Sequence, residues 1–209
     1  MNVLILGATG SVGRHLVPQA LAQGHEVTTL VRNPAKLETR HERLRVLQGD
    51  ALDARAVDAA VQGQDAVIFA LGRSNHRKPT TMFSDATHIL VTAMEKHGVK
   101  RLVCITGIGA GDSRGHGGFW YDRLIFPLIT KQTYLDKGRQ EELIRNSSLD
   151  GIIVRPASFT NGPLRGNLRV ATDLDSVTIR SISRADTAAF VLQQLTDNFY
   201  LRKTPLVGY

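Results

Sequence analysis

Val3-Leu4-Ile5-Leu6-Gly7-Ala8-Thr9-Gly10-Ser11-Val12-Gly13 decides the fold of this chain. Four apolar residues suited to a buried strand lead into three glycines spaced three apart, and an apolar-periodic segment follows. This order of strand, glycine-rich turn and helix is typical of a unit that holds a pyrophosphate. Gly7 allows the tight turn, Gly10 lets the backbone approach the phosphates, and Gly13 lets helix and strand pack closely. The amino end of the helix adds free N–H groups and a partial positive charge.

The end of the second predicted strand, residues 26–32, carries a cation at the position where NAD-preferring units carry an acid. Arg32 stands there, and Lys36 follows about one turn later. A guanidinium can bind a 2′-phosphate through charge-assisted hydrogen bonds, which favours NADP(H) over NAD(H). The alternative is that both residues are ordinary solvated cations.

Composition indicates one domain. The chain has 209 residues with 42% hydrophobic content, enough for one sizeable core. It contains no run of eighteen apolar residues, which argues against a membrane span, and its first apolar stretch is too short for a signal peptide. The one cysteine, Cys104, lies in an apolar run and is expected to be a buried structural thiol in a reducing compartment, so we expect a cytoplasmic location.

The net charge of +7 raises the question of nucleic-acid binding. The cations are scattered rather than clustered, and aromatic residues make up only 6% of the chain. An anionic coenzyme and an acidic small substrate explain the excess of cations as well. We therefore expect neither nucleic acid nor a membrane among the partners, and a monomer or weak homo-oligomer.

Predicted strands and helices alternate along the chain without a break in composition. This pattern indicates an α/β protein with a doubly wound parallel sheet, the Rossmann fold, over residues 1–209, with residues 157–209 forming a small part that covers the substrate. The predicted strands are 3–6, 26–32, 44–47, 65–70, 100–106 and 151–156, and the predicted helices after the first are 53–61, 81–96, 134–146 and 184–195. Ser183 to Asp186 form a capping box at the start of the last helix.

Ligands of such a sheet bind at the carboxyl ends of the strands. That edge collects the segments 7–13, 32–36, 50–51, 70–73, 106–107 and 156–158. Asp50 has two possible roles, a hydrogen bond to the adenine amino group and the N-cap of the following helix. Arg73 faces either a phosphate or substrate, or is a surface residue of the loop.

The chain resembles the atypical short-chain dehydrogenase/reductases of the NmrA-like type, and is most similar to the NADPH-dependent flavin and biliverdin reductases among them. The resemblance covers nearly the whole length and rests on the segments 7–13, 31–32, 63–68, 71–72, 79–81, 93–99 and 148–156, with Asn75. It implies NADPH-dependent reduction of flavins, quinones or other flat, conjugated acceptors. The combination of motifs is more specific than the glycine-rich turn alone.

The resemblance also implies a set of coenzyme contacts. With the neighbouring turn and loop residues, this set is Gly7, Thr9, Gly10, Ser11, Val12, Gly13, Arg32, Lys36, Asp50, Ala51, Ala70, Leu71, Gly72, Arg73, Thr106, Lys137 and Pro156. Gly107 and Ser158 stand where the biliverdin-reducing relatives carry a serine and a histidine. These departures argue against biliverdin as the substrate and leave the NADPH site unaffected.

Candidate catalytic residues are Thr106, Lys137 and Ser158. The Tyr-x-x-x-Lys signature of alcohol–ketone chemistry is not met, because Lys137 follows Tyr134 after three residues instead of four. Lys137 is expected to act electrostatically near the nicotinamide, the alternative being a surface lysine. Thr106 and Ser158 are candidate hydrogen-bond donors to the reduced acceptor. Phe83 and Trp120 are candidates to flank a flat ring, although a core position suits either residue as well.

Other chemistries lack support in the sequence. The seven histidines show no ligand spacing, so we expect no metal. No Gly-x-Ser-x-Gly elbow is present for serine-hydrolase chemistry. The leading hypothesis is therefore a reductase, the second is a non-catalytic NADP(H)-binding redox sensor of the NmrA type, and the third, a sugar-nucleotide epimerase, needs a larger substrate lobe than this chain provides.

Overall fold

A computed structural model describes residues 1–73, 78–116, 121–174 and 179–209, with the backbone alone at residues 121 and 122. Ten strands and five α-helices are present in these ranges. The strands are β1 Asn2–Leu6, β2 Glu26–Val31, β3 Leu44–Gln48, β4 Ala66–Phe69, β5 Arg101–Ile105, β6 Asp150–Pro156, β7 Ser158–Thr160, β8 Arg169–Ala171, β9 Ser181–Ser183 and β10 Leu206–Gly208. The helices are α1 Gly13–Ala22, α2 Ala54–Val61, α3 Met82–His97, α4 Lys131–Asn146 and α5 Arg184–Gln193.

The central sheet has eight strands in the order β3-β2-β1-β4-β5-β6-β10-β8. All neighbouring pairs are parallel except β10 and β8, which run antiparallel. The chain order reverses between β1 and β4, so a crevice opens at the carboxyl ends of these two strands. The fold is a single α/β domain of the Rossmann type, as the alternation of strands and helices predicts.

Both faces of the sheet are covered. Helices α1 and α5 pack on one face, where Leu16 and Val191 are fully buried beside Ile5. Helices α2 and α3 pack on the other face, where Leu90 and Met94 are fully buried. Strand β4 is apolar at every position and buried along its whole length, as expected for a parallel strand covered on both sides.

Several details differ from the sequence prediction. Helix α4 begins at Lys131 instead of Tyr134, because a π-helical segment, Tyr121–Thr130, precedes it directly. The short strands β7 to β10 were not predicted, since three residues are too few for a recognisable alternation. The predicted loop 107–118 contains a single 3-10 turn at Gly111–Ser113 within its described part.

Candidate functional site

The turn between β1 and α1 has two kinds of glycine. Gly7 has a φ of +91°, and a Cβ on it would lie 2.4 Å from the carbonyl oxygen of Ala70 in the neighbouring strand connection. A Cβ on Gly13 would lie 2.1 Å from the carbonyl oxygen of Gly7. The closest atom to a Cβ on Gly10, by contrast, is 3.1 Å away. The protein's own backbone therefore requires glycine at positions 7 and 13, whereas a Cβ at position 10 would make a tight contact with the Gly7 carbonyl oxygen that falls short of a collision.

The amino end of α1 follows the glycine-rich turn directly. The Gly10 N–H donates to Gly7 O at 2.9 Å, and the Arg14 N–H donates to Gly10 O at 3.1 Å, so the turn continues directly into the helix. No side chain of the described ranges caps this helix, and its first turn holds no acid. The free N–H groups and the positive end of the helix dipole are thus available to an anion, which fits the diphosphate of a dinucleotide.

Two exposed cations lie at the carboxyl end of β2. Arg32 follows the last residue of the strand directly. The side-chain oxygen of Asn33 accepts a hydrogen bond from the Ala35 N–H at 3.0 Å and starts the 3-10 turn Pro34–Lys36. Lys36 ends this turn, so it lies at the same edge of the sheet as Arg32. Both side chains are exposed, and because β1 and β2 are parallel neighbours, they share a sheet edge with the β1–α1 turn.

Asp50 does not cap the following helix. Its carboxylate accepts from the Leu52 N–H at 3.1 Å, whereas the N-cap of α2 is Asp53, which accepts from the Arg55 N–H at 2.9 Å. The helix begins three residues later than that role of Asp50 requires, so this part of the prediction is wrong. Asp50 remains at the carboxyl end of β3 with Ala51 buried behind it, and its role as an adenine contact stays a prediction.

The loop after β4 lies against the glycine-rich turn. The Ala70 N–H donates to Leu6 O at 2.9 Å, which brings Ala70 beside Gly7. Arg73, one of the two cations of this loop in the described ranges, donates to the backbone oxygen of Lys78 at 3.1 Å. Its guanidinium is therefore held against the loop itself, and whether it also contacts a ligand stays a prediction.

Lys137 is buried at the carboxyl end of β5. Its Nζ donates to Ile105 O at 3.0 Å and lies 4.6 Å from the centroid of the Phe83 ring. Burial lowers the pKa of this amine, although the neighbouring Cys104, Glu141 and Asp136 oppose the effect. The alternative of a surface lysine is wrong, because the side chain is needed to satisfy the last carbonyl of a central strand.

Phe83 and Trp120 were the two aromatic residues expected to flank a flat ring of the acceptor. Phe83 is fully buried in the core, so it has no surface to offer a ligand. Trp120 lies outside the described residues.

Cys104 is fully buried, as predicted, and burial raises the pKa of its thiol to about 12. It is therefore an inert structural thiol.

Tyr134 lies beside Lys137 over the end of β5. Its hydroxyl oxygen is 2.9 Å from the point where a Cβ on Gly107 would stand, and the φ of Gly107 is +138°. Only glycine at position 107 leaves room for the tyrosine ring in this place. The ring also packs against Phe126 at 6.3 Å between centroids. The fold thus brings Tyr134 and Lys137 to one strand end although their spacing misses the signature of alcohol–ketone chemistry.

Thr106 is held by a buried ion pair that the sequence did not suggest. Its hydroxyl donates to Glu141 Oε1 at 2.7 Å, and the same oxygen accepts from Arg155 Nε at 3.0 Å. Both charged side chains are at most 1% exposed. Burial alone lowers the pKa of the Arg155 guanidinium, but hydrogen bonds to Glu141 and to Asp112 raise it above its usual value. The pair ties the ends of β5 and β6 to α4.

Helix α4 is joined to α3 by further buried polar contacts. Asp136 accepts from the Phe83 N–H at 2.8 Å and from the Ser84 hydroxyl at 2.6 Å, so it caps the amino end of α3 from outside that helix. Gln140 donates to the Thr87 hydroxyl at 2.8 Å. A helix as polar as α4 is expected on the surface. The structure shows instead that one polar face of α4 is buried, while residues such as Arg139 and Glu142 on the other face are exposed.

Ser158 lies beyond β6 and is exposed. It begins β7, and its N–H donates to Arg180 O at 3.3 Å. Pro156, two residues earlier, is buried, and its carbonyl accepts from the Ile108 N–H at 3.3 Å. Thr106, Lys137 and Pro156 thus share the ends of β5 and β6, whereas Ser158 is at the solvent side of that edge.

Asp186 forms the predicted capping box and also accepts hydrogen bonds from two other parts of the chain. The Ser183 hydroxyl accepts from the Asp186 N–H at 3.0 Å, which confirms the cap. The carboxylate also accepts from the Gly166 N–H at 2.8 Å and from the hydroxyl of Tyr209. Burial alone raises the pKa of this carboxyl, but the hydrogen bonds, with that of Tyr209 largest, bring it below its usual value. Asp186 therefore fixes the loop around Gly166 and the last residue of the chain.

No group of three or more histidine, cysteine, aspartate or glutamate side chains within the described ranges is placed to hold a metal ion. In the same ranges, no helix has the length and apolar character needed to cross a membrane.

The model of the NAD(P)H-binding family matches residues 7–198, and the chain belongs to this family. The protein YMR090W of Saccharomyces cerevisiae is 29% identical, and the match covers 98% of this chain and 91% of the yeast protein. The anaerobillin reductase ChuY of Escherichia coli O157:H7 has a similar structure, with a TM-score of 0.83 and 23% identity, over 100% of this chain and 97% of ChuY. A short-chain dehydrogenase/reductase of Veillonella parvula, solved in complex with NADP, has a TM-score of 0.79 and 19% identity over 100% and 94% of the two chains.

These similarities agree with the geometry of the site. The protein binds NAD(P)H and has the fold of an oxidoreductase, as the sequence predicts. The matched range includes the β1–α1 turn, the exposed cations after β2, and the buried α4 side of the site. The two solved structures, each below 25% identity, share the fold with this chain.

Proposed function

We propose that the protein is an NADPH-dependent reductase that transfers hydride to a flat, conjugated acceptor such as a flavin or a quinone. The observation that carries the proposal is the glycine-rich turn at the uncapped amino end of α1, with exposed Arg32 and Lys36 on the same sheet edge. This arrangement offers an anion site for the diphosphate and a second cationic site for a 2′-phosphate.

The choice of NADPH over NADH rests on Arg32. Charge-assisted hydrogen bonds from a guanidinium suit a phosphate, whereas an acid at this position suits a ribose hydroxyl. No acid lies between Arg32 and Lys36. The Veillonella relative solved with NADP supports the same choice for this chain.

The remaining coenzyme contacts follow from the positions of the strand ends. Thr9, Ser11 and Val12 are proposed to hold the diphosphate, and Asp50 with Ala51 the adenine. Residues 70–73 are proposed to contact the nicotinamide ribose, and Thr106, Lys137 and Pro156 the nicotinamide itself. When bound, the coenzyme supplies the hydride.

The side chains at the end of β5 are proposed to orient the reactants. Lys137 is a cation of reduced solvation, so its attraction for electron density on the reduced acceptor is strong. The Thr106 hydroxyl donates its hydrogen bond to Glu141, so the lone pairs of the threonine oxygen are directed to accept from an amide. Ser158, exposed at the edge, can donate to the acceptor. A conjugated ring stacked on the nicotinamide needs proximity more than acid–base help.

The part of the chain after β6 is proposed to cover the acceptor. The loop around Gly166 and the strand pair β7–β9 lie beyond the carboxyl end of β6, and Asp186 holds this loop in place. The cover is small, so the acceptor site is open enough for ring systems of different outlines.

The test is turnover. Purified protein mixed with NADPH and FMN should consume NADPH, followed by its near-ultraviolet absorbance, and a quinone and a linear tetrapyrrole should be compared in parallel. Loss of NADPH with at least one acceptor supports the proposal. No loss with any of the three contradicts it.

A non-catalytic NADP(H)-binding redox sensor is the second candidate. Two observations favour it. The Thr106 hydroxyl already donates to Glu141 and so cannot donate to an acceptor, and the chain lacks a Tyr-x-x-x-Lys pair. A protein partner that is captured in stoichiometric amount and released by NADP, together with absent turnover, would support the sensor. Turnover with any acceptor excludes it.

A further inference from the structure

The π-helical segment Tyr121–Thr130 exposes an unusual amount of apolar surface. Leu128 is 67% exposed and Leu124 is 47% exposed, and Ile125 and Ile129 beside them are also exposed. Single exposed apolar side chains are common on soluble proteins. Four large ones within six residues form a patch of the kind that marks an interaction surface. We call these four residues the apolar face.

The apolar face is distinct from the side chain that joins the segment to α4. Phe126, on the opposite side of the segment, is buried against the Tyr134 ring, and the guanidinium of Arg114 lies 5.5 Å from the centroid of its ring. Phe126 therefore anchors the segment to α4, and the face itself is left to solvent. None of the four residues of the face is among the candidate coenzyme or catalytic residues, so the proposed reaction does not depend on the face.

Cations frame the apolar face. Arg123 precedes it and Lys131 follows it, and both side chains are exposed. The segment with Lys131 contains one acid, Asp122, so its own charge is positive, and the whole chain carries +7. An apolar strip with cations at both ends complements a surface that is apolar beneath an anionic layer.

We propose that the apolar face docks on the surface of an anionic phospholipid membrane. In this arrangement the four apolar side chains enter the boundary between headgroups and acyl chains, while Arg123 and Lys131 contact the headgroup phosphates. A ten-residue segment is too short to span a bilayer, so the contact is superficial. The inference is independent of the proposed reductase activity.

A second copy of the chain fits this face less well. A symmetric dimer through the face would place the same patch of both copies in contact, including Arg123 and Lys131 of each. Like charges would then be brought together in two chains that each carry +7. The expectation that no membrane is a partner rested on the absence of a spanning segment, and a surface contact is a different mode of binding.

The experiment is co-sedimentation with vesicles. Wild-type protein is mixed with phosphatidylcholine vesicles that contain about 30% phosphatidylglycerol, and with vesicles of phosphatidylcholine alone, at low salt. The bound fraction should be at least about tenfold higher on the anionic vesicles, and it should fall as salt is raised from about 0.05 M to about 0.5 M. The salt series needs no variant and so does not depend on any substitution folding correctly.

Two variants locate the contact. The double substitution Leu124→Ser with Leu128→Ser should abolish sedimentation, and Arg123→Glu with Lys131→Glu should lower it at least about tenfold. Matched controls lie elsewhere on the surface, with Phe199→Ser for the apolar change and Arg45→Glu with Arg55→Glu for the charge change. Both controls should sediment nearly as well as wild type, and unchanged NADPH affinity shows that each variant is folded.

The proposal is overturned by equal binding to both kinds of vesicle or by no binding to either. It is also overturned if the controls lose as much binding as the face variants. A wild-type dimer in light scattering that Leu128→Ser dissociates would assign the face to a second copy instead.

Discussion

The coenzyme side and the α4 side of this site are built by different means. At the coenzyme side, the β1–α1 turn and the end of β2, the shape comes from backbone geometry, and glycine at positions 7 and 13 prevents collisions with main-chain atoms. At the α4 side, the shape comes from buried polar side chains such as Glu141 and Arg155. Backbone geometry leaves a signature in the sequence at short spacing. A buried polar network joins residues far apart in the chain and leaves none.

The largest loss of stability is expected when a substitution breaks the buried polar network of the α4 side. Glu141→Gln removes the charge that pairs with buried Arg155 and should lower the free energy of unfolding by about 3–5 kcal/mol. Urea unfolding followed by circular dichroism measures it. Asp112→Asn is the matched control, because the Asp112 side chain is 72% exposed and an exposed partner contributes at most about 1 kcal/mol. Equal losses in both variants would contradict a special role for the buried pair.

The next prediction separates two glycines of the coenzyme side. Gly13→Ala places a methyl group against the Gly7 carbonyl and should cost about 1–3 kcal/mol or more of unfolding free energy. Gly10→Ala brings a Cβ to 3.1 Å from the Gly7 carbonyl oxygen, a tight contact but no overlap, so it should destabilise the fold less than Gly13→Ala while NADPH affinity falls. Thermal unfolding and coenzyme titration of the two variants test this. The account fails here if Gly10→Ala destabilises the fold as much as Gly13→Ala does.

The next prediction concerns the preference of the coenzyme side for NADPH over NADH, which we attribute to Arg32. If Arg32 binds the 2′-phosphate as proposed, Arg32→Ala removes a charged hydrogen bond and should weaken NADPH binding by about 1.5–3 kcal/mol, with NADH binding little changed. Fluorescence titration with both coenzymes measures the difference. Arg40→Ala, an exposed arginine that bonds its own loop, is a suitable control. Equal weakening of both coenzymes would remove the 2′-phosphate assignment.

The smallest expected effect concerns pH and the loop beyond β6. Because hydrogen bonds lower the pKa of Asp186 in the folded protein, its contribution to stability is complete above its unfolded pKa and is lost as pH falls through the folded value. Asp186→Asn should therefore cost about 1 kcal/mol near pH 7 and much less near pH 3. Urea midpoints at the two pH values test the sign. A loss that grows on acidification would contradict the assignment.

The sequence was informative where chemistry depends on local backbone. The glycine-rich turn at residues 7–13 and the capping box at Ser183 could be predicted because the residues of each motif contact neighbours only a few positions away. The fold class followed from the alternation of apolar strands with helices, which is also a local pattern. Asp50 shows the limit of this reasoning, because the sequence offered it as the N-cap of the following helix, and in the structure Asp53 has that role.

The sequence was uninformative where function depends on distant partners. Lys137 read equally well as a surface residue, because its acceptor, the carbonyl of Ile105, lies thirty-two positions away. The contact between Tyr134 and Gly107 depends on how α4 meets the end of β5. The short strands after β6 each pair with a distant segment, so their sequence alone does not specify them.

The central claim is that the glycine-rich turn holds the diphosphate while Arg32 selects the phosphorylated coenzyme. Calorimetric titration of the wild-type protein with NADPH and with NADH tests it most directly. The account predicts heat of binding with both and an NADPH affinity at least about tenfold higher, the equivalent of one charged hydrogen bond. Absence of heat with either coenzyme, or an equal affinity for the two, would contradict it.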